Sequence, residues 1–527
     1  MSRNKNLHSQ AVEAINQGNY PLVQQLCQQI LTADRAHADA WFLLGISEAA
    51  KINVRKGLQY LKNAVALKPE NTEYLAQMAK LLTLLDQKII AKKVAEDALA
   101  LKPENALTLD TLGVVFNKLG ERETARKVFT RAIKYQPNNA QFHYNLASAA
   151  QFVGEPDEAR LHYEKAIQIK PDFYRAYWGL SELEKNEVNE SRLEKLLELF
   201  KNCNLNSADQ LYLGHAISRI YEYQGNYDKA YEYLELGKRK RKFEVNYSHR
   251  VDQSLFDALK PVFKTGNTGS GQDSKQGENA IFVLGMPRSG TTLVERIIDN
   301  HSQVKSLGEL QNFGLAVKNI SGNKSNLVLD EAVIQEASVK DPLEIGSYYL
   351  ASLRNRIDPE KRFLDKLPHN FIYIGFILNA LPAAKIVCLN RNPMDVVMSN
   401  FRQLFSITSS YYNYHYDITN TAMYYTLFYD LMRYWKNVFE DRIYEVSYEK
   451  LTEEPELVVR GLLDNLGLEW EPQCLEFHKN ISSVATASTM QVRQPLYRTS
   501  VGRWKNYANQ LEDLKLIFDR VGIEYEL

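Results

Sequence analysis

The chain has 527 residues, 45% hydrophobic and 24% charged, and its 64 Lys+Arg are cancelled by 64 Asp+Glu. At roughly 100 to 200 residues per domain this length asks for about two to four domains with cores of their own, which excludes intrinsic disorder, a collagen-like rod and a disulfide-stapled miniprotein. A net charge of zero argues against a nucleic-acid coat or an acidic-membrane binder, both of which draw on a strong basic excess, and leaves room for a local basic site.

From the amino terminus the first regularity is a period. Pro69, Pro103, Pro137 and Pro171 are each 34 residues apart, in the phrases LKPEN, LKPEN, YQPNN and IKPDF. Proline ends one helix there and Asn or Asp can cap the next. Trp41, Leu44, Gly45 and Ala64 precede the first of these prolines, and Leu112, Gly113, Phe116, Ala125, Phe129 and Ala132 precede the third. Leu146, Ala147, Ala159, Tyr163 and Ala166 precede the fourth. These positions resemble the tetratricopeptide repeat, in which small residues let antiparallel helices approach and large ones fill the gaps between pairs. Gly120 and Gly154 mark turns within units, and a degenerate unit precedes them at Gly18 to Ile30. Residues 174–209 read as an interruption, and Tyr221, Gly225 and Ala230 read as a returning unit. Tyr174, Tyr177 and Trp178 fit either a partner-binding surface or packing between helices.

The basic run Lys238, Arg239, Lys240, Arg241, Lys242 is broken by Phe243 and reads as the solvated end of a helix. KTGNTGSGQDSKQGEN at 264–279 then reads as a flexible linker. The expected division is a helical repeat domain over 1–245, a connecting segment over 246–279 and an α/β domain over 280–527.

At 280–301 the sequence AIFVLGMPRSGTTLVERIIDNH predicts a buried strand, a Gly/Ser/Thr turn and a helix, the layout of a phosphate cradle. The turn is Pro287, Arg288, Ser289, Gly290, Thr291, Thr292. It lacks the lysine that a nucleotide-triphosphatase loop carries before Ser/Thr, and Arg288 supplies a cation instead. About a hundred residues on, AKIVCLNRNPMDVVMSNFRQ predicts a strand ending in Arg391 and a helix bearing Ser399, placed so that both can reach one phosphate.

Together the two motifs resemble the 5′-phosphosulfate and 3′-phosphate loops of sulfotransferases that use 3′-phosphoadenosine 5′-phosphosulfate (PAPS), over about residues 280–505. The tyrosylprotein sulfotransferase branch is the most similar. That resemblance implies a P-loop-like α/β fold with a central parallel sheet behind the α-solenoid, and PAPS as sulfuryl donor with no metal. It implies Glu309 as the catalytic base, although Gly308 stands where the branch has a first glutamate. Lys366 is implied to steady the leaving oxygen, and His369 is a second candidate base or a structural histidine. Arg288 is implied to act in catalysis as well as binding. Ser488 and Arg503 match nucleotide-closing positions, with Arg493 and Lys505 as looser candidates, and Tyr448 falls near the adenine or in the core. Tyr411, Tyr412, Tyr414, Tyr416, Tyr424 and Tyr425 could line an acceptor groove or simply pack.

The expected activity is transfer of a sulfuryl group from PAPS to a hydroxyl, with a protein or peptide tyrosine held by the repeats as the favoured acceptor. A polysaccharide or small-molecule acceptor, a nucleotide kinase, and an inactive repeat scaffold are the alternatives; homodimers are compatible with all of them. Cys27, Cys203, Cys388 and Cys474 stand singly, which predicts neither a metal site nor a disulfide framework. The first residues lack the apolar core of a secretory signal and no window is apolar enough for a span, so the expectation is a soluble, cytoplasmic protein bound to neither membrane nor nucleic acid.

Overall fold

The computed structural model describes residues 2–183, 190–202, 204–264, 275–479 and 498–525. The chain forms two compact units, Met1–Glu187 and Val188–Leu527.

The first unit is a solenoid of antiparallel helix pairs, from Ser2–Asn16 with Tyr20–Ala33 to Pro156–Ile169, followed by Tyr174–Leu183. The 34-residue phrase sets its joints. Asn71, Asn105 and Asn139 each accept hydrogen bonds from backbone N–H groups of the following first turn, satisfying donors that the helix itself leaves open. Gly45 and Gly113 meet large side chains on the paired helix. A Cβ built on Gly113 would lie 2.4 Å from the Phe129 ring, and one on Gly45 would lie 2.8 Å from Leu61. The turns also keep the period. Gly18, Ile52, Asp86, Gly120 and Gly154 all have positive φ, so the repeat imposes a left-handed turn even where the residue is a β-branched isoleucine at φ 68°. Tyr174 and Tyr177 are buried between helices, and Tyr177 Oη donates to the Pro171 carbonyl at 3.2 Å.

The second unit opens with helix Glu190–Phe200 and the hairpin Ser207–Tyr223 and Tyr227–Val245. The hairpin carries the repeat pattern, with Gly225 at positive φ in its turn, and its helices touch backbone to backbone: a Cβ on Gly214 would lie 2.5 Å from the Gly237 Cα. It packs into the same core as the α/β elements through Ala230, Tyr231 and Leu234. The basic run is solvated only in part, with Arg239, Lys240 and Lys242 exposed. The helix continues through Phe243, which is 76% exposed, whereas Lys238 is 0% exposed. Lys238 follows Leu234 by one helical turn, so the apolar stripe carries it inward. Its Nζ donates to the His415 carbonyl at 2.8 Å and lies over the Phe401 ring. Arg241 donates to the Ile407 carbonyl at 2.8 Å and Lys242 pairs with Asp417.

The sheet has strands β1 (Ala280–Gly285), β2 (Val304–Ser306), β3 (Arg362–Asp365), β4 (Lys385–Asn390) and β5 (Ile443–Ser447), in the order β2-β3-β1-β4-β5 with every pairing parallel. Alternation sorts each strand's side chains onto two buried faces. Ile281, Val283, Val387 and Leu389 pack against helices Thr291–Asp299 and Pro455–Leu466. Phe282, Leu284, Ile386 and Cys388 share the opposite core with helix Ile418–Phe439. Among the described residues no helix is long and apolar enough to cross a membrane.

Candidate active site

In a parallel sheet all strands end at one edge, and the loops leaving that edge collect there. Here each strand leads into sequence-predicted residues. β1 leads into Pro287–Thr292, β2 into Glu309, β3 into Lys366, β4 into Arg391 and β5 into Tyr448.

The β1 loop is tightly bent, with Gly285 at φ 142°, Arg288 at 69° and Gly290 at 109°. A Cβ on Gly290 would lie 2.5 Å from the Tyr448 ring, so glycine is needed there for both its conformation and its bulk. Thr291 and Thr292 begin helix Thr291–Asp299 and are buried, which puts the N-terminal N–H groups of the helix at the loop.

Arg288, Arg391 and Ser399 come together as the motif spacing predicted. Arg288 Nε donates to Ser399 Oγ at 3.2 Å, and Arg391 Nη1 donates to the Arg288 carbonyl at 2.9 Å. The Arg391 guanidinium lies 4.5 Å over the Tyr448 ring, and Tyr448 Oη and Ser500 Oγ share a hydrogen bond at 2.7 Å. Among the described residues, Ser289 Oγ and Arg391 Nε are buried and meet no hydrogen-bond partner. Two orphaned donors beside a helix N-terminus and two arginines suit a ligand bearing phosphate or sulfate groups.

On the other side of β1, Glu309 and Lys366 meet. Lys366 is 0% exposed, and its Nζ lies 2.5 Å from Glu309 Oε1 and 3.5 Å from Glu295 Oε2. Burial opposes the lysine's charge, but Glu295 and Glu309 outweigh it and hold its pKa above the ordinary lysine value. Asp365, the neighbouring residue, is fully buried and pushed up to about 7 by that burial, against hydrogen bonds from Tyr349, the Leu310 backbone and Asn370. His369 is buried among aromatic rings, 5.4 Å from Tyr411 and 5.3 Å from Tyr412. Burial holds it down at about 4, so it is neutral at physiological pH. Of the six tyrosines, Tyr414, Tyr416, Tyr424 and Tyr425 are buried, with Tyr414 stacked on Tyr424 at 4.0 Å. Tyr411 reaches Gln311 at 3.1 Å, and Tyr412 feels the charge of Glu309.

Residues 280–472 match the model of the sulfotransferase family, and residues 111–172 and 215–238 match tetratricopeptide-repeat models. Residues 280–472 form a sulfotransferase-family domain. Among similar proteins, an uncharacterized protein of Aquifex aeolicus is 34% identical over 339 residues, 63% of this chain and 44% of its own. Protein-tyrosine sulfotransferase 1 of Danio rerio is 23% identical over 281 residues, 49% of this chain and 75% of its own. A tetratricopeptide protein of Thermus thermophilus, TTC0263, superposes at a TM-score of 0.30 with 21% identity, over 34% of this chain and 98% of its own. The chain thus spans less than half the length of the Aquifex relative.

Of the remaining candidates, Arg503 pairs with Glu222 at 3.3 Å, and Ser488 and Arg493 lie outside the described residues. Residues that sequence reasoning missed hold the site in place. Asn400 Nδ2 donates to the Pro287 carbonyl at 2.7 Å, and Asp395 accepts from Gly502 N at 2.7 Å and Trp504 N at 3.0 Å. Asp395 follows Arg391 by four residues, a spacing that could have flagged it. Glu295 carried no such signal, because its partner Lys366 is brought to it only by the fold.

Proposed function

We propose that the protein transfers a sulfuryl group from PAPS to a hydroxyl, with a protein or peptide tyrosine as acceptor. The observation that carries this is the gathering, at one sheet edge of a sulfotransferase-family domain, of an arginine cradle and a carboxylate–lysine pair. When bound, PAPS supplies the sulfuryl group and a phosphate leaving group.

In this reading Arg288, Ser289 and the N–H groups leading into Thr291 and Thr292 bind the 5′-phosphosulfate, while Arg391 and Ser399 bind the 3′-phosphate. Tyr448, held against Arg391, presents a flat surface for a base. Glu309 accepts the proton of the attacking hydroxyl, and Lys366 offsets charge on the departing oxygen, so the chain contributes mainly positioning and electrostatic stabilisation. The tyrosine acceptor is supported by the names of relatives such as the Danio rerio protein, and a protein partner for the repeats is supported by the solenoid itself. The division into a repeat domain to 245, a connecting segment and a catalytic domain from 280 is retained as a functional one, with the hairpin 207–245 acting as the catalytic domain's support.

Radiolabelled PAPS incubated with the protein and tyrosine-containing peptides tests the reading. Acid-labile label in peptide is the expected result; label confined to glycans or metabolites rejects the tyrosine acceptor, and binding of ATP without PAPS rejects the donor.

A further inference from the structure

Lys366 sits between two carboxylates that differ in exposure. Glu309 has a side chain 30% exposed, open to an incoming hydroxyl. Glu295 has a side chain 7% exposed and lies on the helix that follows the cradle, where no acceptor can reach it. Its Oε1 accepts from Ser306 Oγ at 2.7 Å, and Ser306 Oγ in turn accepts from Gly308 N at 3.1 Å. Its Oε2 faces Lys366 Nζ across 3.5 Å.

During transfer the acceptor oxygen–sulfur bond forms, the bond from sulfur to the bridging oxygen breaks, the electron pair leaves with the phosphate, and the hydroxyl proton passes to Glu309. Glu309 is then neutral and no longer balances Lys366. A fully buried ammonium without a counter-charge sheds its proton or moves toward whatever anion is nearest. We propose that Glu295 is a positioning residue for the reaction: it keeps Lys366 protonated and aimed at the leaving oxygen after Glu309 has taken up the acceptor proton. This rests on the reading of Glu309 as base.

The surroundings agree. Burial works against the charge of Lys366, and the attraction of Glu295 acts with that of Glu309 to outweigh the burial. Burial raises the Glu295 carboxyl, while Lys366 and Ser306 pull it back. The other charges facing the pair are Glu309 and Arg296, and Arg296 is itself 3.7 Å from Asp299. The anchor on Ser306 explains why Glu295 stays in place when Glu309 changes state: it is tied to the loop that carries Glu309 and not to Glu309 itself.

The test compares Glu295→Gln, Lys366→Met and the double variant in steady-state transfer from PAPS across pH, with PAPS affinity measured separately by calorimetry. Glu295→Gln is expected to lower kcat by about tenfold or more with PAPS affinity within about threefold of the parent. The alkaline limb of its pH profile is expected to move down by about one pH unit, as Lys366 loses its proton earlier. In the Lys366→Met background the same substitution is expected to cost almost nothing, because it acts through the lysine. A pH profile that superposes on the parent's, or a full Glu295→Gln loss on top of Lys366→Met, overturns the proposal. Should Glu295→Gln lose the fold, Glu295→Asp, which keeps the charge and shortens the reach, carries the same comparison. Absence of transfer by the parent protein, or full activity in Glu309→Gln, marks failure of the underlying reading instead.

Discussion

Replacing Glu222 by glutamine removes the carboxylate that several arginines of the second unit share. Its side chain is 3% exposed and meets Arg402 Nη2 at 2.5 Å, Arg503 at 3.3 Å, Arg219 at 3.4 Å and the Tyr507 hydroxyl. Burial works against its charge, but the arginines overwhelm that and hold it down at about 2 from an ordinary 4.5. At 1.36 kcal/mol per pKa unit this is about 3 kcal/mol of stability, within the range expected for breaking a buried pair and stranding its partners. The folded-state pKa is depressed, so the contribution is fully present above pH 4.5 and is lost as pH falls toward 2; at pH 3 less than half of it remains. Urea unfolding of the second unit, followed by fluorescence of the buried Trp435 and Trp504, reads the difference between parent and Glu222→Gln. A gap of about 3 kcal/mol at pH 7 that shrinks by more than half at pH 3 is expected. A gap below about 1 kcal/mol at pH 7, or one that does not change with pH, refutes the reasoning.

Three further outcomes follow from local geometry. Ile52→Gly relieves a left-handed, 87% exposed isoleucine and should raise the midpoint of the first unit's unfolding, by about 0.5 to 1 kcal/mol in differential stability. Asp365, raised from 3.8 to about 7 by burial, holds a proton in the folded state that the unfolded chain has released, so the parent loses stability as pH rises from 4 through 7; Asp365→Asn should remove about 4 kcal/mol of that slope in denaturation measured at both ends. Gly290→Ala drives a methyl into the Tyr448 ring at a positive φ and should weaken PAPS binding by about tenfold in calorimetry.

How much of this was legible in the sequence depends on how local each signal is. Pro69, Pro103, Pro137 and Pro171 disclosed the solenoid because its joints recur at a fixed spacing, and Arg288, Arg391 and Ser399 disclosed the cradle because strand, loop and helix are adjacent in sequence. The left-handed turns at Ile52 and Asp86 were hidden because only the turns at Gly18, Gly120 and Gly154 carry the usual residue. Lys238 misled because five consecutive basic residues look solvated, while the side chain four residues after Leu234 follows the apolar stripe inward. Glu295 and Glu222 were out of reach for a different reason. Their partners lie 71 and 180 residues further along the chain, at Lys366 and Arg402, and only the fold brings a buried acid to its counter-charge.

The central claim is that this chain moves a sulfuryl group with Glu309 as the base, and the most direct measurement is single-turnover transfer from radiolabelled PAPS to a tyrosine peptide by the parent and by Glu309→Gln. The account predicts label in the parent's peptide product, and a Glu309→Gln variant that still binds PAPS while transfer falls by about a hundredfold or more. Undiminished transfer by Glu309→Gln, or no transfer to any hydroxyl acceptor by a parent protein that binds PAPS, contradicts it.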